Sequence, residues 1–234
     1  MHRHLARAAK GFVAHSALFD DTGAQIEERV GEVKRVFETR LEVSPFPAPL
    51  RQEGDAAVSV ASLEAEILPF GERSFDLVTS NLDLHWVNDV PGVLAQIRAI
   101  LKPEGLFIGA LIGEHSLHEL RECLLEAEIA VSGGASPRLS PTIDLQMASG
   151  LMQRAGFTLP VADKETVTLL YRDMFGLMRE LRGMGQANAH SERLRRGTRR
   201  AVFFEAARLY RERYGDAEGR IPATFDIIYL HGWR

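Results

Sequence analysis

SFDLVTSNLDLHWVNDVPGVLAQIRAILKPEGLFIGALI, residues 74–112, carries the alternation that decides the fold. Phe75 to Ser80 is a short apolar run closing in small polar residues, which reads as a buried strand. After a loop, Val93, Leu94, Ile97 and Leu101 recur at the three- and four-residue steps of a helix from about Pro91 to Leu101. Lys102 to Gly105 reads as its stop, and Leu106 to Ile112 is a second apolar run with the length of a strand covered on both faces. Strand, helix, turn and strand make a parallel βαβ unit, and the fold class that follows is α/β.

Outward from this unit the pattern continues in both directions. Ile26, Val30, Val33 and Phe37 fall at helical steps among Glu27, Glu28, Glu32, Lys34 and Arg35, which predicts an amphipathic helix over about Thr22 to Glu38. Pro45, Pro47 and Pro49 then remove backbone donors at alternate positions, a spacing that favours extended chain and predicts a linker or surface strap. Ala56 to Val60 is a short strand candidate. Downstream the predicted order is helices near Ser116–Val131 and Asp144–Ala155, a strand at Thr166–Tyr171, and helices near Met174–Met184 and Thr198–Arg213. Phe225–Trp233 is a last strand that returns to the same sheet. The expected organisation is one domain over 1–234, with helices in 1–40, the proline-rich strap in 41–55, and sheet and helices in 56–234.

Composition narrows the function classes. The chain has 234 residues, 45% of them hydrophobic and 26% charged, the balance of an ordinary globular protein. Lys and Arg number 28 against 32 Asp and Glu, a net charge of −4 that offers no general case for a nucleic-acid partner. The single cysteine, Cys123, cannot close an internal disulfide, and no thiol or histidine cluster has metal-ligand spacing, so a reducing compartment and no metal are expected. No apolar run approaches the roughly 20 residues that span a bilayer. The first 19 residues hold Arg3, Arg7 and Lys10 without an acid, which suits an ordinary first helix or a weak mitochondrial targeting segment.

Motif by motif, the nucleotide-cradling loops are missing. Gly183 to Gly185 follows a predicted helix and lacks a third glycine, so a helix stop is the simpler reading. Gly133 and Gly134 suit a capping turn for the same reason. Eight arginines lie between Arg193 and Arg213, either a docking face for an acidic partner or a solvated helix face. The densest chemistry is SNLDLHWVND, Ser80 to Asp89, at the carboxyl end of the first clear strand, where open α/β sheets bind ligands. Trp86 can stack on a planar group and His85 can exchange a proton near neutral pH, or both can be structural. Asn88 or Asp89 ahead of Pro91 is also a good helix start.

The run Ile67 to Leu111, with its LPF and SFDLV segments, resembles the class I S-adenosylmethionine-dependent methyltransferases, whose fold is a Rossmann-like sheet flanked by helices. HWVNDVPG, LHELRECLLEAE, GGASPRLSP, RAGF at Arg154, MFGLMRELRGMGQAN and the ending IPATFDIIYLHGWR narrow the resemblance. They are similar to the bacterial and mitochondrial family that includes the arginine hydroxylase assisting respiratory complex I assembly, and more distantly to the malonyl carrier-protein methyltransferase of biotin synthesis. The resemblance implies S-adenosylmethionine as cofactor, with Glu64 on adenine (Glu66 as the alternative) and Asn81 and Leu82 lining the cofactor floor. It places His85 and Trp86 toward substrate, and it implies a protein substrate or assembly partner in a bacterial cytoplasm or a mitochondrial matrix.

One departure accompanies the match. The family's Asp/Glu-x-Gly-x-Gly turn and the acid-ended strand after it are not found. The segment from Phe37 to Asp76 is too short for two further βα units at about 30 residues for each βαβ module. The expectation is a sheet lacking its first βα units, in which the edge of the Phe75–Val78 strand exposes unpaired amides unless Ala56–Val60, the strap or another chain, in a homodimer, pairs with it. A non-catalytic binding or assembly module that has lost the cofactor loop is the alternative reading.

Overall fold

A computed structural model describes residues 2–46, 58–63, 66–140, 142–188, 190, 194 and 197–234. Along the chain lie α1 (His2–Ala8), α2 (Ala17–Glu32), β1 (Arg40–Val43), β2 (Val58–Ala61), β3 (Phe75–Asn81), α3 (Val90–Ile100), β4 (Leu101–Ile112) and α4 (His118–Ser132). They are followed by α5 (Leu145–Arg154), β5 (Thr158–Tyr171), α6 (Met174–Gly183), α7 (Arg200–Tyr214) and β6 (Ile221–Trp233). The predicted βαβ unit is β3-α3-β4, with β3 parallel to β4 and Leu77 to Asn81 in register with Leu106 to Ala110. The sheet has six strands in the order β2-β1-β3-β4-β6-β5. As expected, the last strand returns to it, antiparallel to β4.

Two expectations change. The first strand is present: Arg40–Val43 pairs parallel with β3 on one side and with β2 on the other. The shortening therefore falls on residues 44–57 between β1 and β2, close to the dozen-residue minimum for joining parallel strands. The edge of β3 is paired, which removes the edge argument for a dimer. Pro47 and Pro49 of the strap lie outside the described residues. Second, Lys102–Gly105 is not a helix stop but part of β4, where a register irregularity between Phe75 and Leu77 and a positive φ at Glu104 absorb it. α3 ends one residue before, at Ile100. The helix stops at Gly133 and Gly185 do hold, each glycine taking the positive φ that ends a helix, and Gly156 ends α5 in the same way.

The chain packs as two compact units. One is Met1–His15, Glu114–Thr142 and Thr166–Asp226; the other is Ser16–Gly113, Ile143–Glu165 and Ile227–Arg234. The core of the second unit gathers Leu41 and Val43 of β1, Val78 of β3, Phe107 and Leu111 of β4, and Ile97 of α3, all essentially excluded from solvent. α5 covers the same cluster with Leu151 and Met152. Among the described residues no helix is long and apolar enough to cross a membrane.

Asp76 fixes the start of β1 against β3. Its Oδ2 accepts from the Thr39 backbone N–H (3.0 Å), the Thr39 hydroxyl (2.6 Å) and the Lys102 ammonium (2.9 Å), while its own N–H donates to the Thr39 carbonyl (2.9 Å). Burial by itself would raise the carboxyl, but the Thr39 and Lys102 hydrogen bonds outweigh it and hold it below the ordinary value. A lowered folded pKa adds stability that is complete above the unfolded value and is lost as pH falls through the folded one. Asp76→Asn should therefore flatten the acid limb of the stability curve below about pH 4. Urea unfolding at several pH values checks this, and an unchanged acid limb would show that Asp76 is not the titrating brace.

Candidate functional site

The order of the sheet reverses between β1 and β3, and open α/β sheets bind ligands in the crevice outside the carboxyl ends of the strands at such a point. Here that crevice is bordered by Ser44–Phe46 after β1 and by Ser80, Asn81 and Leu82 at the end of β3. Ser44 and Phe46 form a closed turn, in which the Phe46 N–H donates to Ser44 Oγ and the Ser44 hydroxyl donates to the Phe46 carbonyl, both at 3.2 Å. The Phe46 ring is buried and packs edge-on against Phe19 of α2, centroids 5.8 Å apart.

Asn81 is fully buried, and its amide is engaged on both sides by α2. Oδ1 accepts from the Thr22 hydroxyl at 2.7 Å and Nδ2 donates to the Phe19 carbonyl at 2.9 Å. Leu82 is equally buried and takes a positive φ of 51°, a conformation rare for a leucine, with its N–H held by the Ala110 carbonyl at 3.0 Å. Both residues predicted for a cofactor floor thus stand at the crevice, with the Asn81 amide serving as a clamp between β3 and α2. Glu64, predicted for adenine, lies outside the described residues.

His85 and Trp86 sit on a single 3-10 turn, Leu84–Trp86, immediately past β3. Their rings lie 5.1 Å apart and tilted by 43°. Asp83, buried ahead of them, accepts from the Leu63 N–H at 2.9 Å and ties the turn to the segment after β2. Two buried polar atoms here have no hydrogen-bond partner, Trp86 Nε1 and Ser80 Oγ. Buried donors are seldom left unsatisfied, so such a pair beside a ligand crevice marks capacity for a bound polar group.

Glu66 is the organiser that sequence reasoning mentioned only as a stand-in for Glu64. Its carboxylate accepts from the Asn88 N–H (3.0 Å), Asn88 Nδ2 (2.6 Å) and the Asp89 N–H (3.1 Å), and the Asn88 backbone bond leads in holding its pKa below the ordinary value. Asp89 caps α3 through the Gly92 N–H at 2.9 Å, the structural role its position ahead of Pro91 suggested. The arginine run behaves as a solvated helix face where it is described: Arg208 pairs with Glu205 and Glu212, and Arg213 with Glu126. Arg193, Arg195 and Arg196 lie outside the described residues. Cys123 is buried, and burial pushes its thiol up to about 11.

Residues 29–109 match the family model for a methyltransferase domain. That fold family implies S-adenosylmethionine, and among the described residues of the crevice no glycine turn follows β1. A glycine turn offers free backbone N–H groups and space for the cofactor. After β1 the Phe46 N–H is engaged by Ser44 and the Phe46 ring packs against Phe19. The amide of Asn81 is likewise engaged.

Among solved structures, a methyltransferase described as putative from Bacillus halodurans shares the fold with a TM-score of 0.54 at 14% identity, over 90% of this chain and 97% of that one. Among characterised proteins, the chain is 36% identical to "Arginine-hydroxylase NDUFAF5, mitochondrial" of Danio rerio over 93% of this chain and 75% of the relative. The human protein of the same name is 36% identical over 99% of this chain and 76% of its own length. With the methyltransferase sheet in place and similarity running through both units, the chain is a methyltransferase-like protein and belongs to the family of the mitochondrial arginine hydroxylase NDUFAF5.

Proposed function

We propose that this protein recognises an arginine side chain of a protein partner at the β3–α3 loop and acts in the assembly of respiratory complex I, in a mitochondrial matrix or a bacterial cytoplasm. The observation that carries the reading is the buried, unpartnered Trp86 indole N–H, in the loop whose Asn88 and Asp89 N–H groups Glu66 holds. From Asp83 to Ile97 the loop and helix contain no Lys or Arg, so the local field favours a cation. An aromatic face and carboxylates suit a guanidinium, through cation–π contact and charge-assisted hydrogen bonds, while the indole N–H donates to a peptide carbonyl. His85, next to Trp86 on the same turn, is the second residue assigned to the substrate side. The likeness to proteins named arginine hydroxylases supports arginine as the recognised side chain.

The test is a titration of a short arginine peptide against its citrulline analogue. The chain has two tryptophans, so Trp233→Phe leaves Trp86 as the sole indole reporter. Arginine peptide should quench it saturably and the citrulline peptide should not. Trp86→Ala, read by calorimetry, should weaken binding about tenfold, the loss expected when a desolvated cation–π contact goes. Equal binding of both peptides would sink the assignment.

Phe46 in the crevice favours a second reading, a binding module without turnover. Calorimetry with S-adenosylhomocysteine and mass analysis of incubated peptide separate the two. A saturating isotherm with a peptide gaining an oxygen or a methyl group selects the enzyme. A flat isotherm and an unchanged peptide that still binds select the module.

A further inference from the structure

Within the first compact unit, α1, the 3-10 turn Phe12–His15, the end of β5 and α6 border an open cleft of about 930 Å³. That volume is in the usual range for small-molecule sites, roughly 300–1,000 Å³. Four of its lining residues are Arg7, Arg172, Arg179 and Arg182, against one lining carboxylate, Glu180. Six arginines outside the cleft, Arg29, Arg40, Arg138, Arg208, Arg213 and Arg220, pair with a carboxylate. None of the four cleft arginines has such a partner among the described residues.

The lone carboxylate is withdrawn from them by a built contact. His15 Nδ1 and Glu180 Oε2 are hydrogen-bonded at 2.6 Å. The His15 ring lies so close over Gly183 that a Cβ there would stand 2.1 Å from His15 Cδ2. Gly183, which the sequence reading took only as part of a helix stop, is thus the residue that lets His15 lie flat on the end of α6. Four like charges around one concave surface raise its positive potential, and guanidinium forks match the paired oxygens of phosphates and carboxylates.

We propose that this cleft is a binding site for a small, multiply charged oxyanion, a phosphate ester or a polycarboxylate, held by Arg7, Arg172, Arg179 and Arg182 with Glu180 kept aside by His15. The site is separate from the β3–α3 loop and does not depend on the function assigned there.

Calorimetry on the full chain at low salt, with pyrophosphate and with citrate as separate probes, tests it. At least one probe should bind saturably and more weakly as salt rises, since exposed charges are screened. Binding of pyrophosphate alone identifies phosphate chemistry, and binding of citrate alone identifies carboxylate chemistry. Arg179→Gln with Arg182→Gln should weaken binding roughly tenfold or more, as expected for lost hydrogen bonds between charged groups. Arg154→Gln, on α5 in the other unit, should leave it unchanged. Gly183→Ala should also weaken binding by displacing His15 from Glu180, whereas Gly134→Ala, with open space around it, should not. Absence of saturable binding for both probes, or equal binding by the double variant, overturns the proposal.

Discussion

Asn81→Ala is expected to lower the stability of the protein by about 2–3 kcal/mol, combining two lost buried hydrogen bonds with the void left by the amide. The melting temperature should fall by roughly 4–12 °C for a chain of this size. The reason is geometric. Asn81 ends β3 and is the only described side chain hydrogen-bonded both to the Thr22 hydroxyl and to the Phe19 carbonyl of α2. Thr22 can turn its hydroxyl to the Leu18 carbonyl, 2.9 Å away, when Asn81 is removed. Thr22→Val should therefore cost clearly less in the Asn81→Ala background than in the wild type, a coupling that a double-mutant cycle reads directly. Strict additivity would show that the two side chains do not act as one clamp.

Arg138→Met should be more damaging, about 3–5 kcal/mol, because it strands a buried charge. Glu128 on α4 is almost wholly buried and is held by Arg138 Nε at 2.8 Å, by a second Arg138 contact through Nη2, and by the Ser136 N–H at 3.0 Å and hydroxyl. Burial pushes the carboxyl upward, and Arg138 and Ser136 overcome it and leave it lowered. The stabilisation is complete above the ordinary value and disappears as pH falls through the lowered one, so wild type and Arg138→Met should converge in stability on acidification. Glu128→Gln combined with Arg138→Met should recover much of the loss. Denaturant unfolding that finds the single and double variants equally damaged would refute the stranded-charge account. The pair also explains the GGASPR segment: Ser136 and Arg138 close the turn after α4 back onto Glu128.

The parts legible in the sequence are those whose cause is local. β3, α3 and β4 follow from apolar periodicity within a few tens of residues, and the Asp89 cap and the glycine stops follow from backbone chemistry at single positions. The concentration of His85 and Trp86 at the end of a strand was equally visible, since the strand and the loop are adjacent in the chain.

What the sequence alone could not determine depends on neighbours distant along it. Arg40–Val43 is four residues long with a charged residue at alternate positions and prolines close behind, and it becomes a strand because β2 and β3 both supply partners. The Asn81 amide, which could equally serve a ligand, is claimed by Thr22, 59 positions away. Arg7 and Arg182 come to one cleft only when α1 packs on α6. Local pattern therefore determined the α/β class and set His85 and Trp86 in the loop after β3. Tertiary packing decided which polar groups remain available to a ligand, because hydrogen-bond partners and unpaired charges are set by contacts across the fold.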